Sequence, residues 1–106
     1  MDSDPSPVRV VLITHPIEGA EGFAKRLVEE RLAACVSMHR VESVYRWEGQ
    51  LESSPEMQLV PKTQQDKLEP LEAFLEREHP YQVPECVVLA TQHVEAEYAA
   101  WLRGAL

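Results

Sequence analysis

The stretch that most constrains this chain is Val44-Tyr45-Arg46-Trp47-Glu48-Gly49-Gln50-Leu51. Two large aromatics alternate with charged residues, and a glycine follows at once. Alternation places Tyr45 and Trp47 on one face of a strand and Arg46 and Glu48 on the other. Glu48-Gly49-Gln50 then reverses the chain, with glycine supplying the left-handed conformation a tight turn needs. The segment reads as the tip of a β-hairpin that carries its largest apolar residues far out along an arm. Rings on a projecting arm need a surface to cover them. For a chain this small, the expected surface is another copy of itself.

The 106 residues are enough for one domain with one core. A net charge of −8 repels a phosphate backbone, so nucleic acid is not an expected partner. No apolar run is long enough to cross a membrane, and the first residues lack the basic-then-apolar pattern of a signal peptide. Cys35 and Cys86 form no CxxC pair and read as buried free thiols of a reducing compartment. The expected location is cytoplasmic.

Residues 1–7 are rich in Ser, Asp and Pro and are expected to be a disordered tail, with a single domain over 8–106. Val8 to Thr14 is β-branched and apolar almost throughout, which predicts a central strand covered on both faces. Ala20, Phe23, Ala24, Leu27, Val28 and Leu32 recur at helical spacing. Ala34 to Trp47 predicts a long strand. Val36 and Met38 share one parity while Val41, Tyr45 and Trp47 share the other, so a β-bulge is expected near His39-Arg40. The returning strand is expected over about Glu56 to Lys62. Pro61 within it argues for an edge, a bulge or an early end.

A second helix follows from Leu68, Leu71, Phe74 and Leu75. Asp66 and Glu69 are placed to form a capping box, and Pro80 ends the helix near His79. Glu85 to Ala90 predicts a buried fourth strand. Tyr98, Trp101, Leu102 and Leu106 predict a short C-terminal helix packing one face.

This order of elements is that of an α+β, ferredoxin-like βαββαβ antiparallel sandwich with a long hairpin between its second and third strands. Right-handed crossovers put the first and third strands in the middle of the sheet. The arm then lies at an unpaired edge, where subunits can join.

Four stretches are similar to those of the CutA family of divalent-cation tolerance proteins. They are Leu27-Val28-Glu29-Glu30-Arg31-Leu32-Ala33-Ala34-Cys35-Val36, the Tyr45-Arg46-Trp47-Glu48-Gly49 tip, His79-Pro80-Tyr81-Gln82-Val83-Pro84-Glu85, and Tyr98-Ala99-Ala100-Trp101-Leu102. They occur in the family's order and at its spacing, across about residues 8 to 103. The resemblance implies a ferredoxin-like subunit, a homotrimer whose hairpins reach across to neighbours, and binding of copper or another divalent metal. An architectural likeness to trimeric PII signal proteins also implies a ligand cleft between subunits. Some members carry a Cys near the end of the first strand, but this chain has Ile13 there. That puts a thiolate copper site in question.

The topology brings the end of the first strand beside the start of the fourth. His15, Glu78 and His79 are therefore candidate ligands for Cu(II) or a similar divalent cation. The resemblance maps the family's metal-linked imidazole onto His79. A structural His79, bonded within the turn before Pro80, is the other reading. Tyr45 and Trp47, with Arg46, Glu48 and Lys62 as polar groups, are candidates for the subunit interface and for a cleft that takes a small anionic ligand. No Ser-His-Asp or Cys-His set, phosphate loop or HExxH is present, so neither an enzyme nor an organic cofactor is expected. A signalling or interaction trimer that binds a small ligand or a protein tail is the alternative to a metal-binding trimer.

Overall fold

The structure, a computed structural model, describes residues 6–106; the first five residues of the expected tail lie outside that range. Strand β1 (Val8–His15), helix α1 (Ala20–Glu29), β2 (Cys35–Trp47), β3 (Gln50–Gln64), α2 (Leu68–Glu78), β4 (Val87–Ala90) and α3 (Ala96–Gly104) follow in that order. One four-stranded antiparallel sheet runs β2-β3-β1-β4, so β1 and β3 are central and the arm strand β2 is at an edge. This is the α+β sandwich expected from the element order.

Helices α1 and α2 cover one face, and α3 reaches only the Val8 end of the other. Phe23 and Leu27 of α1 and Leu71 and Phe74 of α2 close over Val11, Ile13 and Leu59. Alternate residues of β1 are therefore buried, while Val10, Leu12 and Thr14 on the opposite face stay half-exposed. A first strand covered on both faces was expected, and within this one chain only half of that is realised. The same correction applies to β4, which is shorter than expected and leaves Val87 and Leu89 exposed. A smaller apolar cluster joins Val8 and Ala34 to Leu102 of α3. That helix buries Ala99 and Leu102, whereas Tyr98 and Trp101 point outward, their ring centres 5.5 Å apart.

The hairpin is longer and more regular than its sequence pattern. Paired residues of β2 and β3 keep one register from Cys35↔Lys62 to Trp47↔Gln50, so the expected bulge is absent. The parity change is instead a change of face. Val36 and Met38 lie on the helix side of the sheet, and Val36 packs against the core there. Farther out no helix reaches, and Val41, Tyr45 and Trp47 carry the apolar character on the other side. Glu48 (φ 52°) and Gly49 (φ 80°) form the two-residue turn, both left-handed as a type I′ hairpin requires. The arm stretches the chain to 52 × 25 × 23 Å.

Pro61 sits inside central β3, three residues before its end at Gln64 and away from any sheet edge, and is fully buried. The Lys62 carbonyl faces β2, where it accepts the Ala34 amide, so by alternation Pro61 turns its missing donor toward β1. The β1–β3 register passes over that point, resuming in the same phase on either side. The expected Asp66–Glu69 capping box does not form. A 3-10 turn at Gln65–Lys67 leads straight into α2, and the Asp66 amide is taken by the Ser6 hydroxyl at 2.9 Å. Ser6 and Pro7, placed in the expected tail, are thus tied to the domain. The Pro7 carbonyl accepts the Gln65 amide at 2.8 Å.

Candidate functional site

Two clusters of polar chemistry lie near the end of the sheet reached by the loop after α2. The first is a histidine pair. His15 ends β1 on the helix-covered face and His79 caps α2; both are almost wholly buried. Their ring centres are 5.0 Å apart, and Phe23 packs against both. His79 has no free nitrogen. Its Nε2–H donates to the Thr14 carbonyl at 2.8 Å, and its Nδ1 accepts the Tyr81 amide at 3.1 Å. His15 Nδ1–H donates to the Pro16 carbonyl at 2.8 Å, and among the described residues its Nε2 has no hydrogen-bond partner. Burial pushes the His79 pKa below its ordinary value, and His15 adds to that; the Thr14 bond and Glu56 pull the other way. The neutral ring fits both of its hydrogen bonds.

Glu78 does not join this pair. Its carboxylate takes the Arg26 guanidinium at 3.0 Å and lies 3.5 Å from Arg77, and the Arg26 bond holds its pKa below the usual range. The three candidate metal ligands are therefore two neighbouring imidazoles and a carboxylate engaged elsewhere. Among the described residues no three His, Cys, Asp or Glu side chains are grouped to hold a metal ion. As arranged, the donor set does not fit a divalent cation, because binding one would cost His79 a bond and Glu78 its arginine.

The second cluster is a groove of about 790 Å³ on the uncovered face of the sheet. Val41, Ser43, Tyr45 and Trp47 of β2 form one wall, and the loop from Pro80 to Glu85 forms the other. Glu56 and Gln58 of β3 and Thr14 of β1 lie between them. The Tyr81 hydroxyl donates to Glu56 Oε2 at 2.5 Å and pins the loop to the sheet. Burial and this carboxylate push the Tyr81 pKa well up, so the phenol remains a donor.

Of the five residues expected at an interface or cleft, Tyr45 and Trp47 line the groove, 42% and 39% exposed in the single chain. Arg46 belongs to the opposite face by register, Glu48 lies in the turn, and Lys62 sits at the base of the arm bonded to the Ser37 hydroxyl. Glu56 and Tyr81 were not singled out from the sequence. The signal was available: a two-residue turn at Glu48-Gly49 pairs Glu56 with Val41, on the face of Tyr45 and Trp47.

The family model described as CutA1 divalent ion tolerance protein matches residues 9–105. This chain belongs to the CutA1 family. The divalent-cation tolerance protein CutA of Yersinia pestis (strain Pestoides F) is 39% identical over 99 residues, covering 92% of this chain and 83% of that protein. The structure of CutA from Synechococcus elongatus PCC7942 superposes with a TM-score of 0.90 at 36% identity, over 97% of this chain and 93% of that one. The structure described as PII-like protein CutA from Nostoc sp. PCC 7120, in apo form, gives 0.87 at 33% identity, over 92% and 95%. The CutA resemblance read from four sequence motifs is thus the chain's family, and the ferredoxin-like fold is the family's fold. Among the described residues, no helix is long and apolar enough to cross a membrane.

Proposed function

We propose that this protein acts in divalent-cation tolerance, the role for which its relatives are named, as a homotrimer that works by binding rather than catalysis. Its subunits meet along the uncovered face of the sheet, and the arm-bounded groove is its binding site. The observation that carries this reading is that face itself. Val10, Leu12, Val41, Tyr45, Val87 and Leu89 make one side of the sheet apolar where no helix covers it. A two-layer sandwich with one bare apolar side buries it against another chain. Strand β2 adds a 13-residue edge on which a neighbour can pair, and a repeated edge contact closes into a ring. Subunits that share this face should have no populated folded monomer, so light scattering across a dilution series should give a constant threefold mass. A folded monomer at micromolar concentration overturns the assembly.

Direct binding of Cu(II) or a similar cation is the second reading. It draws support from the paired imidazoles and from His15 Nε2, which has no hydrogen-bond partner among the described residues. The bonds already made by His79 and Glu78 count against it, and for that reason the groove takes precedence. The two readings separate in a Cu(II) titration of wild type and His79→Ala. Groove-based function leaves the stoichiometry unchanged by the substitution. Loss of one site per subunit moves the binding site to the histidine pair.

A further inference from the structure

We propose that the groove takes a small organic ammonium ion, the opposite charge class from the anion that an arginine- and lysine-lined cleft would attract. This rests on the reading that the groove is the protein's binding site, and it adds the class of ligand. The central observation is Glu56. Only 5% of this residue is exposed, yet among the described residues it forms no ion pair. Its one side-chain partner is the neutral Tyr81 hydroxyl, on Oε2. A buried carboxylate without a cation is costly, and its lowest-energy complement is a positive charge brought to it. Within one chain the lining supplies none: it contains no Lys, Arg or His, and it adds a second carboxylate, Glu85.

The rest of the lining selects among cations. A bare divalent ion needs several oxygen or nitrogen donors around it. The lining has two carboxylates, and one oxygen of Glu56 already holds Tyr81. Thr14, Ser43, Gln58 and Gln82 add only neutral oxygens, and among the described residues no three His, Cys, Asp or Glu are grouped to hold a metal ion. The other walls are Val41, Val83, Pro80, Pro84 and aromatic rings. An alkylated ammonium needs no coordination sphere. It carries its charge inside an apolar skirt, which suits a carboxylate at the floor and the rings of Tyr45, Trp47 and Tyr81 at the walls. The cavity volume is of the size that holds small ligands.

Choline chloride is a suitable probe, with 3,3-dimethyl-1-butanol as its neutral isostere. The chain has two tryptophans, so Trp101→Phe leaves Trp47 in the groove wall as the single tryptophan, excited selectively at the red edge of the indole band. Choline should shift the Trp47 emission saturably, and the neutral alcohol should bind at least about tenfold more weakly. Glu56→Gln should weaken choline by a similar factor. Tyr81→Phe, which frees the carboxylate without removing its charge, should retain binding and guards against a folding defect in the first variant. Equal binding of the two probes, an unchanged Glu56→Gln titration, or no response to choline overturns the assignment. That includes the case in which a neighbour's own cation fills the groove. Light scattering on the same samples separates the two levels. A trimer that ignores choline refutes the ligand class alone, and a monomer refutes the assembly.

Discussion

The two faces of the sheet are built from the same strands and follow opposite rules. On the helix side, Val11, Ile13, Leu59 and Phe74 are fully buried within a single chain. On the other side, apolar residues of comparable size alternate with Ser37, Ser43, Glu56 and Gln58 and stay half-open. The first face is a finished core, where close packing of neighbouring side chains sets the energy. The second has the composition of an interface, apolar at its centre and polar between, with the groove at one end. One strand serves both purposes by changing which parity carries its apolar residues, from Val36 and Met38 near the helices to Val41, Tyr45 and Trp47 beyond them.

This contrast can be broken by experiment. Phe74→Ala should have the largest effect, about 3–5 kcal/mol of lost stability by urea unfolding, with the mass of the remaining folded protein unchanged. Trp47→Ala should leave that core intact and weaken assembly by about 2 kcal/mol or more per interface, read as a concentration-dependent mass. If Trp47→Ala costs as much in unfolding as Phe74→Ala and leaves assembly untouched, the division between the faces is wrong.

Acid should act next. The folded chain holds the His79 pKa below its ordinary value of 6.5, so the unfolded chain takes up that proton first. Its contribution is fully present above about pH 6.5 and is lost as pH falls through the lower, folded value. Urea midpoints should decline on this limb in wild type and stay flatter in His79→Gln; identical slopes refute the linkage. Two glycines give the smallest effects, with opposite signs. Gly49→Ala should cost about 1–2 kcal/mol because its φ is 80°. Gly22→Ala, inside α1 with open space where a Cβ would stand, should gain about 0.5–1 kcal/mol.

Most of the architecture was legible because each element announces itself locally. The 3.6-residue spacing of Phe23, Ala24 and Leu27 marks α1, and Gly49 marks the turn. Pro80 marks the end of α2, whose last turn is capped by His79. Errors arose where a local rule met a long-range condition. The parity slip in β2 looked like a bulge because the sequence does not reveal where the helices stop covering the sheet. Pro61 looked like an edge signal, but one missing donor in a two-sided ladder interrupts only the side it faces. The capping box failed because Ser6, sixty residues away, supplies a partner at the start of α2. The histidine pair was foreseen through strand adjacency. Glu78 was misplaced because the reach of Arg26 from another helix leaves no periodic trace. Glu56 was missed because the reversal was read over three residues, Glu48-Gly49-Gln50, whereas the turn has two, and that one residue decides which face Glu56 takes.

The unbroken pairing of the arm limits how such a chain can change over evolutionary time. With the turn fixed at two residues, every position on one side of the hairpin is committed to one position on the other. A single codon gained between Val41 and Tyr45 would present Val44 and Arg46 where the two rings now stand, and one lost there would present Arg46 and Glu48. Arm length in descendants of this sequence should therefore drift in matched, even steps, while the loops at the opposite end of the domain are free to vary by one.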